Sequence, residues 1–114
     1  GHAVGDAVLQ TFARLASELV RPTDTLARWG GEEFLLLMPE TPLSLARERL
    51  ADLQAKVQGH DWEPLGRGLT VSFSGGLCEP DGQRPLHREL ERADEALYQA
   101  KTQGRAHTVE AVAA

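Results

Sequence analysis

Apolar side chains recur at spacings of three and four over residues 3–20, at Val4, Val8, Leu9, Phe12, Leu15, Ala16 and Leu19. That is the period of a helix with one buried face. Gly5 and Asp6 fall in its predicted first turn, where the helix dipole favours a carboxylate. Pro22 follows Arg21, so the helix is predicted to stop at or before residue 21. Leu26–Trp29 and Phe34–Met38 then read as strands, separated by Gly30-Gly31-Glu32-Glu33. A Gly-Gly pair between such runs predicts a tight hairpin, because glycine accepts the positive φ of the turn. Phe34–Met38 is apolar throughout, which predicts a central strand covered on both faces.

Pro39 and Pro42 end that run. Leu43, Ala46, Leu50, Leu53 and Val57, with charges between them, predict an amphipathic helix. Gly59–Gly68 is polar and rich in turn residues, the pattern of a mobile loop. Leu69–Cys78 is rich in β-branched and aromatic residues and reads as a strand, with a turn at Asp81-Gly82. Leu90, Ala93, Ala96, Leu97 and Ala100 place one stripe on a helix over 87–103, with Gly104 as its C-terminal stop. Ala106–Val112 completes the series as a last strand. The order α-ββ-α-β-α-β is that of an α/β (α+β) sandwich, an antiparallel-rich sheet with helices of the ferredoxin-like, split-βαβ kind, without its leading strand. No repeat or second domain interrupts it, so residues 1–114 read as a single domain.

Composition narrows the class. With 114 residues, 41% hydrophobic and 25% charged, the chain is an ordinary soluble globular domain. Its 17 acidic and 12 basic side chains leave a net charge of −5, which argues against non-specific nucleic-acid binding while permitting a local basic pocket. No stretch approaches the roughly 20 apolar residues of a membrane helix, so no direct membrane contact is expected. The single Cys78 excludes an intrachain disulfide and a zinc cluster, and suits a reducing compartment. His60, His87 and His107 show no metal-ligand spacing. The charges of residues 47–56 and 88–95 read as solvated helix faces, and Trp62 has no assigned role.

Gly30-Gly31-Glu32-Glu33-Phe34 is the segment richest in chemistry. Two glycines let backbone approach a phosphate with no Cβ between them. Two consecutive carboxylates in a turn offer hard oxygen ligands to Mg²⁺. The pentapeptide alone reads equally as the solvated acidic tip of a surface hairpin.

In its wider setting the pentapeptide resembles the signature of the GGDEF family of diguanylate cyclases, in the GGEEF variant. The resemblance extends over Gly1-His2-Ala3-Val4-Gly5-Asp6, over Asp24–Phe34, over Phe34–Pro39 as F-L-L-L-M-P, and over Ser74-Gly75-Gly76. It continues through Ala93-Asp94-x-Ala96-Leu97-Tyr98-x-Ala100-Lys101-x-x-Gly104-Arg105. The resemblance implies condensation of two GTP into cyclic di-GMP by a homodimer, with Mg²⁺ or Mn²⁺ as cofactor. It implies Glu32 as metal-ligating carboxylate, Glu33 as its neighbour binding metal or helping to deprotonate the 3′-hydroxyl, and Gly30 and Gly31 approaching the phosphates. Asp6 matches the acid that reads guanine, and Lys101 and Arg105 match the cations on the outer phosphates. For Asp6, Lys101 and Arg105, charge placement at helix ends is the alternative. Trp29 and Tyr98 lie in these motifs as packing aromatics, and His2 supports local packing.

Arg21-Pro22-Thr23-Asp24 stands just upstream of the signature. It resembles the family's RxxD inhibitory site for cyclic di-GMP, where an arginine fork bonds guanine or phosphate and the aspartate accepts from guanine. An exposed Arg–Asp pair is the plain alternative. Arg47 and Arg49 are candidates for a second arginine. The family's first strand carries an aspartate that shares the metal, followed by an asparagine that reads guanine; the chain begins beyond both. These 114 residues alone are therefore expected to show little or no cyclase activity, with a cyclic di-GMP-binding module as the alternative function. The resemblance also implies an upstream sensory domain and cytoplasmic placement, in a protein whose membrane anchoring stays open.

Overall fold

The computed structural model describes residues 2–80, 82–103 and 108–111. Its elements are α1 (His2–Ser17), β1 (Thr25–Gly30), β2 (Glu33–Leu37), α2 (Leu43–Gly59), a 3₁₀ turn at Glu63–Leu65, β3 (Gly75–Cys78), α3 (Leu86–Thr102) and β4 (Thr108–Ala111). This is the predicted order, an α+β architecture. Packing divides the chain into two compact units, Gly1–Thr41 with Ala55–Val71, and Pro42–Gln54 with Ser72–Ala114. None of the described helices is long and apolar enough to cross a membrane.

In the first unit, α1 buries Leu15 and Ala16. Phe12 sets its ring against Phe34 of β2 with centroids 4.9 Å apart, a tilted aromatic pair that ties helix to hairpin. The helix ends at Ser17, whose hydroxyl donates to the Arg14 carbonyl at 2.7 Å. It begins at His2, so Asp6 lies beyond the first turn, which carries no acidic residue. The predicted dipole role for Asp6 is thereby removed, since that field fades within one turn.

β1 and β2 pair antiparallel, Leu26 opposite Leu36 and Ala27 opposite Leu35, with an irregularity between Arg28 and Gly30. The prediction of a doubly covered central strand is corrected. Among the described residues β2 pairs with β1 alone, Glu33–Leu36 are half-buried, and Leu37 is exposed. An apolar run reports affinity for a core, not how many neighbours the strand finds.

The segment read as a mobile loop is also corrected. Trp62 is 3% exposed and its indole N–H donates to the Val57 carbonyl at 2.8 Å. His60 meets its ring edge-on at 4.8 Å. Asp61 accepts from the Glu63 N–H at 3.1 Å, opening the 3₁₀ turn. The loop is polar in composition yet fastened by the Trp62 indole, by the Asp61 carboxylate and by the Glu63 carboxylate, which accepts the Gly68 N–H.

In the second unit, β3 and β4 pair parallel, Gly76 opposite Val109. The predicted strand over 69–78 forms a ladder only from Gly75 onward; residues 69–74 lie outside it. α3 crosses β3 at Gly76, where an added Cβ would meet the Leu97 N at 2.3 Å and the Ala93 O at 2.7 Å. Glycine here serves close approach of two backbones, with Ala96 and Ala100 buried on the same stripe. Tyr98 is 68% exposed, against the packing role predicted for it. At 3.6 residues per turn, position 98 points away from the face shared by 96 and 100. α3 ends at Gln103, whose N–H donates to the Gln99 carbonyl at 2.9 Å; the predicted stop at Gly104 lies outside the described residues. So do Asp81 of the predicted turn, His107, and the outer residues of the last strand.

Candidate functional site

The signature turn joins β1 to β2 through Gly31 and Glu32, with Gly30 opposite Glu33. Gly31 takes φ +39 with nothing within 4 Å of where a Cβ would stand. The hairpin thus needs glycine for its conformation, and the space above the backbone is open to a ligand. Glu32 is exposed on the turn and Glu33 is half-buried at the start of β2. Among the described residues no group of three His, Cys, Asp or Glu side chains gathers to hold a metal. Two adjacent carboxylates offer the hard oxygen ligands that Mg²⁺ shares with substrate phosphates.

Sequence reading missed Arg28. Its Nε donates to the Gly31 carbonyl at 2.8 Å, bracing the turn from the strand before it. Arg28 also lines an open cleft of about 470 Å³ with Asp6, Leu9, Gln10, Ala13, Leu26 and Phe34. Asp6 and the base of the signature hairpin therefore line one cleft, whose residues include a carboxylate, a guanidinium and the apolar Leu9, Ala13, Leu26 and Phe34.

The second predicted site is a closed β-turn. Arg21 accepts the Asp24 N–H on its carbonyl at 2.9 Å, with Pro22 at the position that presets φ for such turns. The turn brings the Asp24 side chain back onto Arg21. Its Oδ2 accepts the Arg21 backbone N–H at 2.7 Å, and its Oδ1 accepts Nε at 3.3 Å and Nη2 at 3.0 Å. The Asp24 side chain is 0% exposed while that of Arg21 is 33% exposed. The carboxylate expected to accept from guanine is instead committed to the arginine. Nη2 also reaches the Pro39 carbonyl at 2.8 Å and Thr41 Oγ1 at 2.5 Å. The Arg–Asp pair of the plain alternative does form, with its carboxylate buried rather than exposed.

Lys101 stands half-buried in the last turn of α3, in the second unit. Arg105 lies outside the described residues. The charges of 88–95 are not all solvated, as they were predicted to be. Glu89 is 4% exposed and accepts from Arg92 Nη1 at 2.8 Å, with Arg84 Nη1 at 3.6 Å. The Cys78 thiol donates to Glu89 Oε2 at 3.2 Å. Burial, reinforced by that hydrogen bond to a carboxylate, pushes the thiol up to about 11. Cys78 is thus an inert, protonated side chain at neutral pH.

The family model for the diguanylate cyclase GGDEF domain matches residues 1–107. The diguanylate cyclase DgcP of Pseudomonas aeruginosa is 38% identical over 105 residues, 92% of this chain and 16% of that protein. The GGDEF domain of DgcB from Caulobacter crescentus, solved in complex with c-di-GMP, superposes with a TM-score of 0.89 at 29% identity, over 97% of this chain and 67% of that one. The active GGEEF domain of a diguanylate cyclase from Vibrio cholerae gives 0.82 at 25% identity, over 100% of this chain and 72% of that one. The chain belongs to the GGDEF family. It spans a small part, 16% and 25%, of the length of curated relatives such as DgcP and the Escherichia coli DgcM.

Proposed function

We propose that this chain is a diguanylate cyclase domain that presents one GTP to a second copy of itself and binds the product, cyclic di-GMP, through Arg21. The observation that carries the reading is the signature turn. Gly31 leaves open space above a positive-φ backbone, and exposed Glu32 stands beside it. In the two-fold pair each 3′-hydroxyl attacks the other nucleotide's α-phosphate. In each attack one Pα–O bond forms, the hydroxyl proton passes to a carboxylate such as Glu33, and one α–β bridge breaks, so the two attacks release two pyrophosphates. Glu32 with Glu33 would hold Mg²⁺ or Mn²⁺, whose chemistry is neutralisation of phosphate charge. Gly30 and Gly31 let backbone approach the phosphates. Asp6, at the cleft wall, accepts from the guanine N1–H and amino group. Lys101 and Arg105 hold the outer phosphates. GTP as substrate supports a cytoplasmic setting.

A second reading, a cyclic di-GMP receptor without catalysis, draws support from the Arg21–Asp24 pair and from the cyclic di-GMP carried by the DgcB domain. Binding separates the two, because it needs one domain where turnover needs two. Titration with GTP is expected to show Mg²⁺-dependent binding that Glu32→Gln weakens about 30-fold, with little or no cyclic di-GMP formed by these 114 residues alone. Cyclic di-GMP binding without any GTP binding would select the receptor. Binding of neither nucleotide would overturn both.

A further inference from the structure

Arg21 Nη2 carries two protons and faces three acceptors, Asp24 Oδ1 at 3.0 Å, the Pro39 carbonyl at 2.8 Å and Thr41 Oγ1 at 2.5 Å. The shortfall is resolved by Thr41, whose own hydroxyl donates to the Pro39 carbonyl at 3.0 Å. Nη2 then gives one proton to Asp24 and one to Thr41, and every acceptor is served. The turn that makes this possible is unusual. Glu40, between Pro39 and Thr41, has φ 52, the left-handed region that a residue with a Cβ rarely enters. Such a conformation persists only when its surroundings hold it, and the bonds from Arg21 do so here.

We infer that Thr41 is a positioning residue of the cyclic di-GMP site. It fixes the guanidinium plane of Arg21 so that Nη1 and one ring-sized face are presented to the ligand before it arrives. This rests on the reading of Arg21 as the product site. The side chain of Arg21 keeps 33% of its surface in solvent although Nε and Nη2 are both bonded. Among the described residues Nη1 carries no bond. Nη1 is left to donate to phosphate or to guanine O6 or N7. A long side chain held in this way has little rotamer freedom left to lose on binding, which is how preorganisation raises affinity. Asp24 alone leaves the plane free to swing about the Nε–Nη2 edge; Thr41 supplies the second point that fixes it.

Calorimetric titration of the chain with cyclic di-GMP tests this, comparing the native protein with Thr41→Val and Thr41→Ser. Valine keeps the shape and removes the hydroxyl, whereas serine restores the hydroxyl without the methyl. Thr41→Val is expected to weaken binding about fivefold, the share of one modest hydrogen bond, and Thr41→Ser to stay within about twofold of native. Equal or tighter binding by Thr41→Val overturns the inference. Serine as weak as valine also overturns it, since the methyl packing would then be responsible. No binding by the native chain sinks the product-site reading and this inference with it, an outcome distinct from the other two.

Discussion

Two turns in one packing unit meet nucleotide in opposite ways. The signature turn is open: Gly31 has empty space where a side chain would be, Glu32 is exposed, and one arginine, Arg28, braces the loop. The Arg21 turn is closed on itself, with the Asp24 side chain fully buried and the guanidinium held at Asp24 and Thr41. Each also contains a left-handed residue, Gly31 at φ 39 and Glu40 at φ 52. The open turn uses the one amino acid that adopts this conformation freely, and the closed turn imposes it on glutamate. A site completed by metal and phosphate can stay soft until its ligand arrives, whereas a site built on one cation must hold that cation in advance.

Removing Asp24 should break the contrast most severely. Asp24→Ala strips the buried partner from Arg21, and denaturant unfolding should show a loss of about 2–3 kcal/mol, below the roughly 3–5 of a fully buried pair because Arg21 is partly solvated. Cyclic di-GMP binding should fall with it. Glu32→Gln should do the reverse. Stability should stay within about 0.5 kcal/mol of native, as for other exposed sites, while Mg²⁺-dependent GTP affinity falls about 30-fold through loss of a charged ligand. If Glu32→Gln unfolds the chain, the open-turn description is wrong.

The left-handed residues sharpen the comparison further. Gly31→Ala adds no clash and should destabilise by about 1 kcal/mol through conformation alone, a drop of roughly 4–8 °C in Tm for a domain near this size. Glu40→Gly should move the other way by about 0.5 kcal/mol, relief of a left-handed glutamate less the backbone freedom that glycine loses on folding. A destabilised Glu40→Gly chain would show that the glutamate side chain, not its neighbours, stabilises that turn.

Hydrophobic period made the helices and the hairpin legible, because Leu15, Ala16, Ala96 and Ala100 sit where the three-and-four spacing puts them. Strand extent was not legible. Residues 69–74 have strand composition, but a ladder also needs a partner, and composition carries no information about partners. Trp62 was hidden by polar neighbours, and Glu89 by the charged helix face around it; one buried side chain does not make a pattern. At the site, Gly31 and Glu32 were readable from chemistry and motif. Arg28 was not, since its partner is a carbonyl, which every residue has. Thr41 reads as an ordinary turn residue until Pro39, Arg21 and Asp24 come together around it.

The proton count on Arg21 has a spectroscopic consequence. An unrestrained guanidinium turns about its C–N bonds quickly enough to merge its terminal protons into one broad signal. Arg21, bonded through Nε and Nη2 while Nη1 carries no bond among the described residues, is expected to turn slowly and to show separate nitrogen-15-coupled resonances. The chain therefore carries its own reporter at the place where product is proposed to land. Occupation of Nη1 would shift one resonance and leave its clamped neighbours in place.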